Sequence, residues 1–136
     1  MYRVVLDPGV LIAALISARG APRNLVRAWI EGGFEILVSP RLLAELLRVL
    51  ARDKFRRYAT EDEAQAYVAF VQRFATVCPD VQSPPPLAPD PGDDYLLALA
   101  DSQSADFLVS GDPHLYEMKG TKPPVLTPRA FLNRLS

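Results

Sequence analysis

Asp7, Asp94 and Asp112 are set apart by what surrounds them. Asp7 closes the apolar run Tyr2-Arg3-Val4-Val5-Leu6 and precedes Pro8; Asp112 follows Phe107-Leu108-Val109-Ser110-Gly111 and precedes Pro113. Asp94 stands beside Asp93 at the head of Tyr95-Leu96-Leu97-Ala98-Leu99-Ala100. An Asp before Pro suits a helix start, where its carboxylate caps free N–H groups and the proline takes the first helical position. Asp93 or Asp94 can cap the helix that follows them, so singly each acid reads as a cap. Jointly they suggest more. If the apolar runs are parallel strands joined by helices, their carboxyl ends share one edge, where ligand sites form. Two charges about 5 Å apart cost roughly 3 kcal/mol at an effective dielectric near 20. Capping does not require that cost, and a divalent cation removes it. All-oxygen ligands favour magnesium or manganese. The usual work of these ions on an anionic substrate is phosphodiester hydrolysis, in which they activate a water and stabilise the leaving oxygen. Glu45 is open to two readings. It lies four residues from Arg41 and three from Arg48, which suits an exposed ion-pair face; alternatively it is a ligand on the rim of the same pocket.

The other residue types leave the chemistry to acids. The chain has 136 residues with one cysteine, Cys78, and one histidine, His114. A lone cysteine excludes an internal disulfide and a thiolate zinc cluster, and favours a reducing, cytoplasmic setting. A lone histidine excludes a two-histidine acid/base pair and any metal site built on several imidazoles. His114, two residues past Asp112, reads as a surface helix position. The longest apolar run, Val10 to Ile16, is far below the roughly 20 residues a membrane span requires, so no membrane association is expected.

The elements that must position the acids follow from pattern. Tyr2 to Asp7, Phe34 to Val38, Phe107 to Ser110 and Val125-Leu126 read as short buried strands. Helices are expected over Val10–Ile16, from Pro22 to the stop at Gly32-Gly33, from Pro40, from Thr60 with Glu63 as a capping box, over Tyr95–Ala100, and from Pro128. Ser83 to Gly92 holds five prolines in ten residues and reads as an extended surface connection. Its flanks are each too small to fold alone, so residues 1–136 are expected to form one domain. Strands alternating with helices predict an α/β fold with a mainly parallel sheet.

A net charge of −1 conceals an uneven layout. Arg41, Arg48, Arg52, Lys54, Arg56 and Arg57 fall within seventeen residues, whereas Asp80 to Asp112 carries seven aspartates and no lysine or arginine. Twelve of the fifteen cations are arginine, the residue suited to forked contacts with phosphate. The six cations are candidates for a polyanion-binding rim, although a solvated helix face explains them equally well.

In order along the chain, these pieces resemble the PIN-domain ribonucleases of toxin–antitoxin pairs. The resemblance is carried by Val4-Val5-Leu6-Asp7 with Val10 to Ile16, Gly20-Ala21-Pro22, Phe34 to Pro40 with Glu45-Leu46, Pro89 to Ala98, Ala105 to Asp112, and Leu126 to Leu132. It implies a three-layer α/β/α sandwich and a Mg²⁺- or Mn²⁺-dependent endoribonuclease. It places the family's four acids on Asp7, Glu45, Asp94 and Asp112, with Asp93 as the neighbouring alternative for the third. Ser110 matches a position where the family often has Ser or Thr near the metal. The resemblance also implies a homodimer and a small antitoxin protein that neutralises the toxin, and the helix bearing Trp29 is a candidate partner surface. One departure stands out: Pro8-Gly9 replaces the family's usual Thr-Asn after the first acid. Gly9 leaves room there for water or substrate and removes an amide. That loss motivates an alternative, a catalytically weak or inactive module of the same fold that binds RNA or protein. Aspartyl phosphotransfer is disfavoured, because Asp7 lacks a paired acid and no lysine occurs between Lys54 and Lys119.

Overall fold

The apolar runs become the strands of one sheet. In the computed structural model, which describes residues 1–136, the strands are β1 (Arg3–Leu6), β2 (Glu35–Val38), β3 (Thr76–Val77), β4 (Phe107–Val109) and β5 (Val125–Leu126). All are parallel, in the order β3-β2-β1-β4-β5. Val5 pairs with Leu37 of β2 on one side and with Leu108 of β4 on the other. Seven helices accompany them: α1 (Pro8–Ile16), α2 (Ala21–Ile30), α3 (Pro40–Leu50), α4 (Glu61–Phe74), α5 (Asp94–Ser102), α6 (Pro113–Tyr116) and α7 (Pro128–Leu135). They flank the sheet in an α/β/α sandwich, with α1 packed on α2 and α3, α3 on α4, and α5 against β1 and β4. No helix is long and apolar enough to cross a membrane.

Local chemistry explains the elements. Val4, Val5, Leu6, Ile36, Leu37 and Val38 are fully buried, as central strands of a two-sided parallel sheet must be. The apolar α1 buries Val10, Leu11, Ile12 and Ala14 and begins on Pro8, with Asp7 as its cap. Gly32 adopts φ +84° just past α2; its N–H bonds Trp29 O, and the Gly33 N–H bonds Ala28 O. That pair of bonds is a Schellman motif, which glycine enters without a side-chain penalty. Ser39 caps α3 through the Leu42 N–H, and Thr60 with Glu63 forms the expected capping box of α4.

The strand β3 is an addition to the sequence reading. It has two residues, both exposed, at the sheet edge, too few to show any alternation.

Strand order decides where a site can form. The chain builds outward from β1 to β3, then returns to lay β4 on the other side of β1. The boundary between β1 and β4 is therefore the switch point, and the crevice opens at their carboxyl ends.

The opposite edge is closed by aromatics. Phe131 of α7 is fully buried, with ring centroids 5.1 Å from Phe34, 5.8 Å from Tyr2 and 5.9 Å from Phe107. Each of those partners stands at or just before the start of a strand. Phe131→Ala is expected to lower unfolding free energy by about 3–5 kcal/mol, through lost burial and the cavity left behind. Denaturant titration measures this, and a loss under about 1 kcal/mol contradicts the packing described.

Candidate active site

One buried hydroxyl organises the crevice. Asp7 ends β1, and its backbone N–H reaches across to Val109 O at 2.9 Å. Its Oδ1 accepts from the Gly9 N–H at 2.9 Å, and its Oδ2 accepts from Ser110 Oγ at 2.8 Å. Ser110 is fully buried, and the same Oγ accepts from the Asp112 N–H at 3.0 Å. A side chain at the end of β4 thus aims the first acid and fixes the backbone of the last. The Oδ1 of Asp112 accepts from the His114 N–H at 2.9 Å and lies 3.0 Å from His114 Nδ1. His114 is on the surface, as the sequence suggests, yet its ring touches the fourth acid.

Asp7, Glu45 and Asp93 line one pocket of about 230 Å³, together with Pro8, Gly9 and Tyr95. Glu45 comes from α3. Both its oxygens are held by Arg48, at 3.0 Å from Nε and 2.5 Å from a terminal nitrogen. Its two sequence readings therefore hold together, since the residue is ion-paired and also faces the pocket. Asp93 comes from a 3-10 turn, Pro91–Asp93, whose cap is Asp90 accepting from the Gly92 N–H at 2.9 Å.

Asp94 is placed differently from the sequence expectation. It is buried, and its Oδ1 accepts from the Leu87 N–H at 3.0 Å and the Ala88 N–H at 2.7 Å. It ties down the proline-rich connection instead of lining the pocket. Successive helical residues point about 100° apart, and here Asp93 lines the pocket while Asp94 turns to the connection. The signal missed in the sequence is the connection itself, whose two free amides need an acceptor.

The charges press on one another. Burial, above all, raises the Asp7 pKa, against the lowering bonds from Gly9 and Ser110 and with the charge of Asp112. Asp93 is pushed up to about 6 by burial and then by Asp7, Asp90, Asp112 and Asp94. Glu45 is held below its ordinary value, chiefly by the Arg48 hydrogen bond, with Arg48, Arg41 and Arg52 adding charge. The Tyr95 phenol is raised by burial and then by Asp7, Glu45 and Asp93. No three of the His, Cys, Asp and Glu side chains are drawn together as a metal-holding group. Like charges keep apart, and Asp7, Glu45, Asp94 and Asp112 each take a local partner, whereas the Asp93 carboxylate has none. As a donor set, Asp7, Glu45 and Asp93 fit a hard divalent cation: all are oxygen ligands, and two are carboxylates made less acidic by burial and neighbouring negative charge.

The basic stretch divides. Arg41 and Arg48 stand at helical spacing from Glu45 on α3, Arg52 lies just beyond its end, and all three act on the Glu45 charge. Past α3, Lys54 lies over the Phe55 ring, Arg57 over the Tyr58 ring, and Arg56 turns back to Leu50 O. The first three thus stand beside the acids, and the last three serve a turn. The Gly9 position is open: an added Cβ would meet Asp7 Oδ1 at 3.6 Å, an ordinary contact. Trp29 is itself buried against Phe70, so the apolar surface of α2 and α4 is presented by Ile30 and Phe74. A larger cavity of about 640 Å³ lies between the proline-rich connection and Met118–Lys122, and Asp101 is its single carboxylate.

Comparison with known proteins gives the family and the fold. The family model described as PIN domain matches residues 3–114, which include all the acids above. No curated protein matches the sequence. Three solved structures share the fold. VapBC2 from Rickettsia felis, bound to a DNA fragment from its promoter, superposes with a TM-score of 0.65 at 12% identity, over 92% of this chain and 98% of that one. PAE2754 from Pyrobaculum aerophilum gives 0.66 at 17% identity, over 98% and 95%. FitAB bound to the IR36 DNA fragment gives 0.52 at 18% identity, over 92% and 94%.

The crowding of the acids sets a pH dependence. An acid whose pKa is higher in the fold than in the unfolded chain binds its proton more tightly when folded, so protons favour folding. For Asp93, stability of the metal-free protein therefore rises as pH falls through about 6, and the gain is complete below the ordinary carboxyl value near 4. Asp93→Asn removes the charge and is expected to raise Tm at pH 7.5 by about 2 °C, with a smaller difference at pH 5. Thermal melts at both values check this; an Asn variant that melts lower at pH 7.5 contradicts the described repulsion.

Proposed function

The chain belongs to the PIN-domain family, and from that premise we propose that it is a Mg²⁺- or Mn²⁺-dependent endoribonuclease, the toxin of a toxin–antitoxin pair. The observation that carries the reading is the convergence of Asp7, Glu45 and Asp93 on one pocket at the carboxyl end of β1, where the charge of Asp112 also acts on Asp7 and Asp93. PIN domains are typically nucleases and generally use divalent metals. Asp7, Glu45 and Asp93 would hold the cation, and Asp112 adds negative charge beside them. Asp93 takes the place in the ligand set that the resemblance gives to Asp94. When bound, the cation supplies an activated water and charge neutralisation at the leaving oxygen.

The chain's own residues do the rest. Gly9 and Ser110 fix both oxygens of Asp7, so that its remaining lone pairs are aimed before any ligand arrives. Arg48 keeps Glu45 ionised and in place. Asp93 must release its proton for the pocket to take a cation, so cation affinity weakens as pH falls through about 6. Arg41, Arg48 and Arg52 draw the phosphate backbone toward the acids. Pro8-Gly9 does not prevent this assembly, since Gly9 supplies its N–H to Asp7 and no side chain there is needed to hold the acid.

Residues 1–136 act in this reading as one nuclease domain in the cytoplasm, where the buried Cys78 thiol stays reduced. VapBC2 and FitAB are toxin–antitoxin complexes, and by analogy the partner proposed for this chain is a small antitoxin, with a second copy of the chain completing a homodimer. Ile30 and Phe74, about 60% exposed beside buried Trp29, offer an apolar surface for such contacts.

Single-stranded RNA cleavage is expected only with Mg²⁺ or Mn²⁺. Asp7→Asn and Asp93→Asn are each expected to lower the rate by more than about 100-fold. Asp94→Asn keeps an acceptor for the Leu87 and Ala88 amides and is expected to retain most activity. Gel-based cleavage assays with the three variants decide the matter. Cleavage in excess chelator contradicts the metal mechanism, and an inactive Asp94→Asn beside an active Asp93→Asn reverses the ligand assignment. Salt-sensitive RNA binding without cleavage by any form would favour the non-catalytic module.

A further inference from the structure

Glu45 lines the acid pocket, and both of its carboxylate oxygens accept from Arg48. The guanidinium meets the carboxylate as a fork, with Nε on one oxygen and a terminal nitrogen on the other. A cation that takes Glu45 as a ligand must therefore approach oxygens that Arg48 already holds. Guanidinium and divalent cation are both positive, so they repel each other across one carboxylate. Asp7 has no such conflict, because its donors, the Gly9 N–H and Ser110 Oγ, are uncharged. Asp93 makes no ion pair at all. Arg48 is the one basic side chain that competes for a pocket carboxylate.

The pair is placed to open. The Arg48 side chain is 60% exposed and that of Glu45 38%. Such a pair is held weakly, since water solvates both partners when it breaks. Arg48 has no other bond in the chain to keep it there. Its release also has a use. Asp7, Glu45 and Asp93 bring three negative charges to the pocket, which a divalent cation reduces to one. A guanidinium freed beside them offsets that last charge and presents its fork to a phosphate.

We infer that Arg48 has two settings: in the metal-free protein it occupies the Glu45 oxygens in place of the cation, and on metal loading it yields them and turns its fork to the RNA phosphodiester. This assignment rests on the nuclease reading and deepens it. Cation and RNA then reinforce each other's binding, each favouring the setting that suits the other.

The test is Arg48→Gln in the full chain. Arg52→Gln is the control, because it removes an equal charge that acts on Glu45 without a bond to it. By calorimetry at pH 7.5, Arg48→Gln is expected to bind Mn²⁺ about 5-fold more tightly than wild type, and Arg52→Gln less than about 2-fold more tightly. At saturating Mn²⁺, Arg48→Gln is expected to raise KM for a single-stranded RNA about 10-fold, the loss of one charge-assisted contact. These opposite signs distinguish exchange from simple support. Weaker Mn²⁺ binding by Arg48→Gln makes Arg48 a support of the loaded site and overturns the inference. Equal tightening in both variants reduces the effect to distant charge and overturns it too. An unchanged KM removes the phosphate setting and the inference with it. In each of those cases a wild type that binds Mn²⁺ and cleaves RNA leaves the proposed function standing. A wild type that does neither removes the proposed function and this inference together.

Discussion

The hydrogen bond from Ser110 Oγ to Asp7 Oδ2 spans the seam where the sheet changes its direction of growth. Everything proposed for the pocket depends on what that bond opposes. Acids with no opposite charge among them separate if they can, and Asp7 and Asp93 both have pKa values raised by burial and by neighbouring acids. The fold restrains them with fixed groups: the Gly9 amide and Ser110 hold Asp7, Arg48 holds Glu45, and the Asp90-capped turn presents Asp93. This is preorganisation at a cost in stability, the pattern expected where function and folding make opposing demands.

The same logic separates scaffold from site. The aromatic cluster around Phe131 closes the amino edge of the sheet, and the acids occupy the carboxyl edge. One end is apolar and satisfied; the other gathers groups whose interactions are incomplete. Asp94 shows the contrast within a single pair of residues, because its Oδ1 holds both the Leu87 and Ala88 amides.

Much of this was legible in the sequence, for physical reasons. Strand-Asp-Pro at residues 4–8 and again near Asp112 marks strand ends that lead into capped helices, and parallel topology brings such ends to one edge. Ser110 and Glu45 were legible only through family resemblance, since a serine before a turn and a glutamate between arginines have ordinary surface explanations. The choice between Asp93 and Asp94 was not legible. It depends on which carboxylate the proline-rich connection claims, a tertiary contact that no periodicity encodes. The strand β3 was invisible because two exposed residues carry no pattern. The layout of the arginine-rich stretch was not legible either: Arg41 and Arg48 flank Glu45 on α3, Arg52 lies just past it, and Lys54, Arg56 and Arg57 turn to their own chain.

Anomalous diffraction from crystals equilibrated with Mn²⁺ tests the central claim most directly, because it locates the cation without relying on activity. The account predicts a manganese peak in the β1/β4 crevice, bounded by the carboxylates of Asp7, Glu45 and Asp93, with Asp94 still bonded to the Leu87 and Ala88 amides. A peak coordinated by Asp94, or an empty crevice at saturating Mn²⁺, contradicts it.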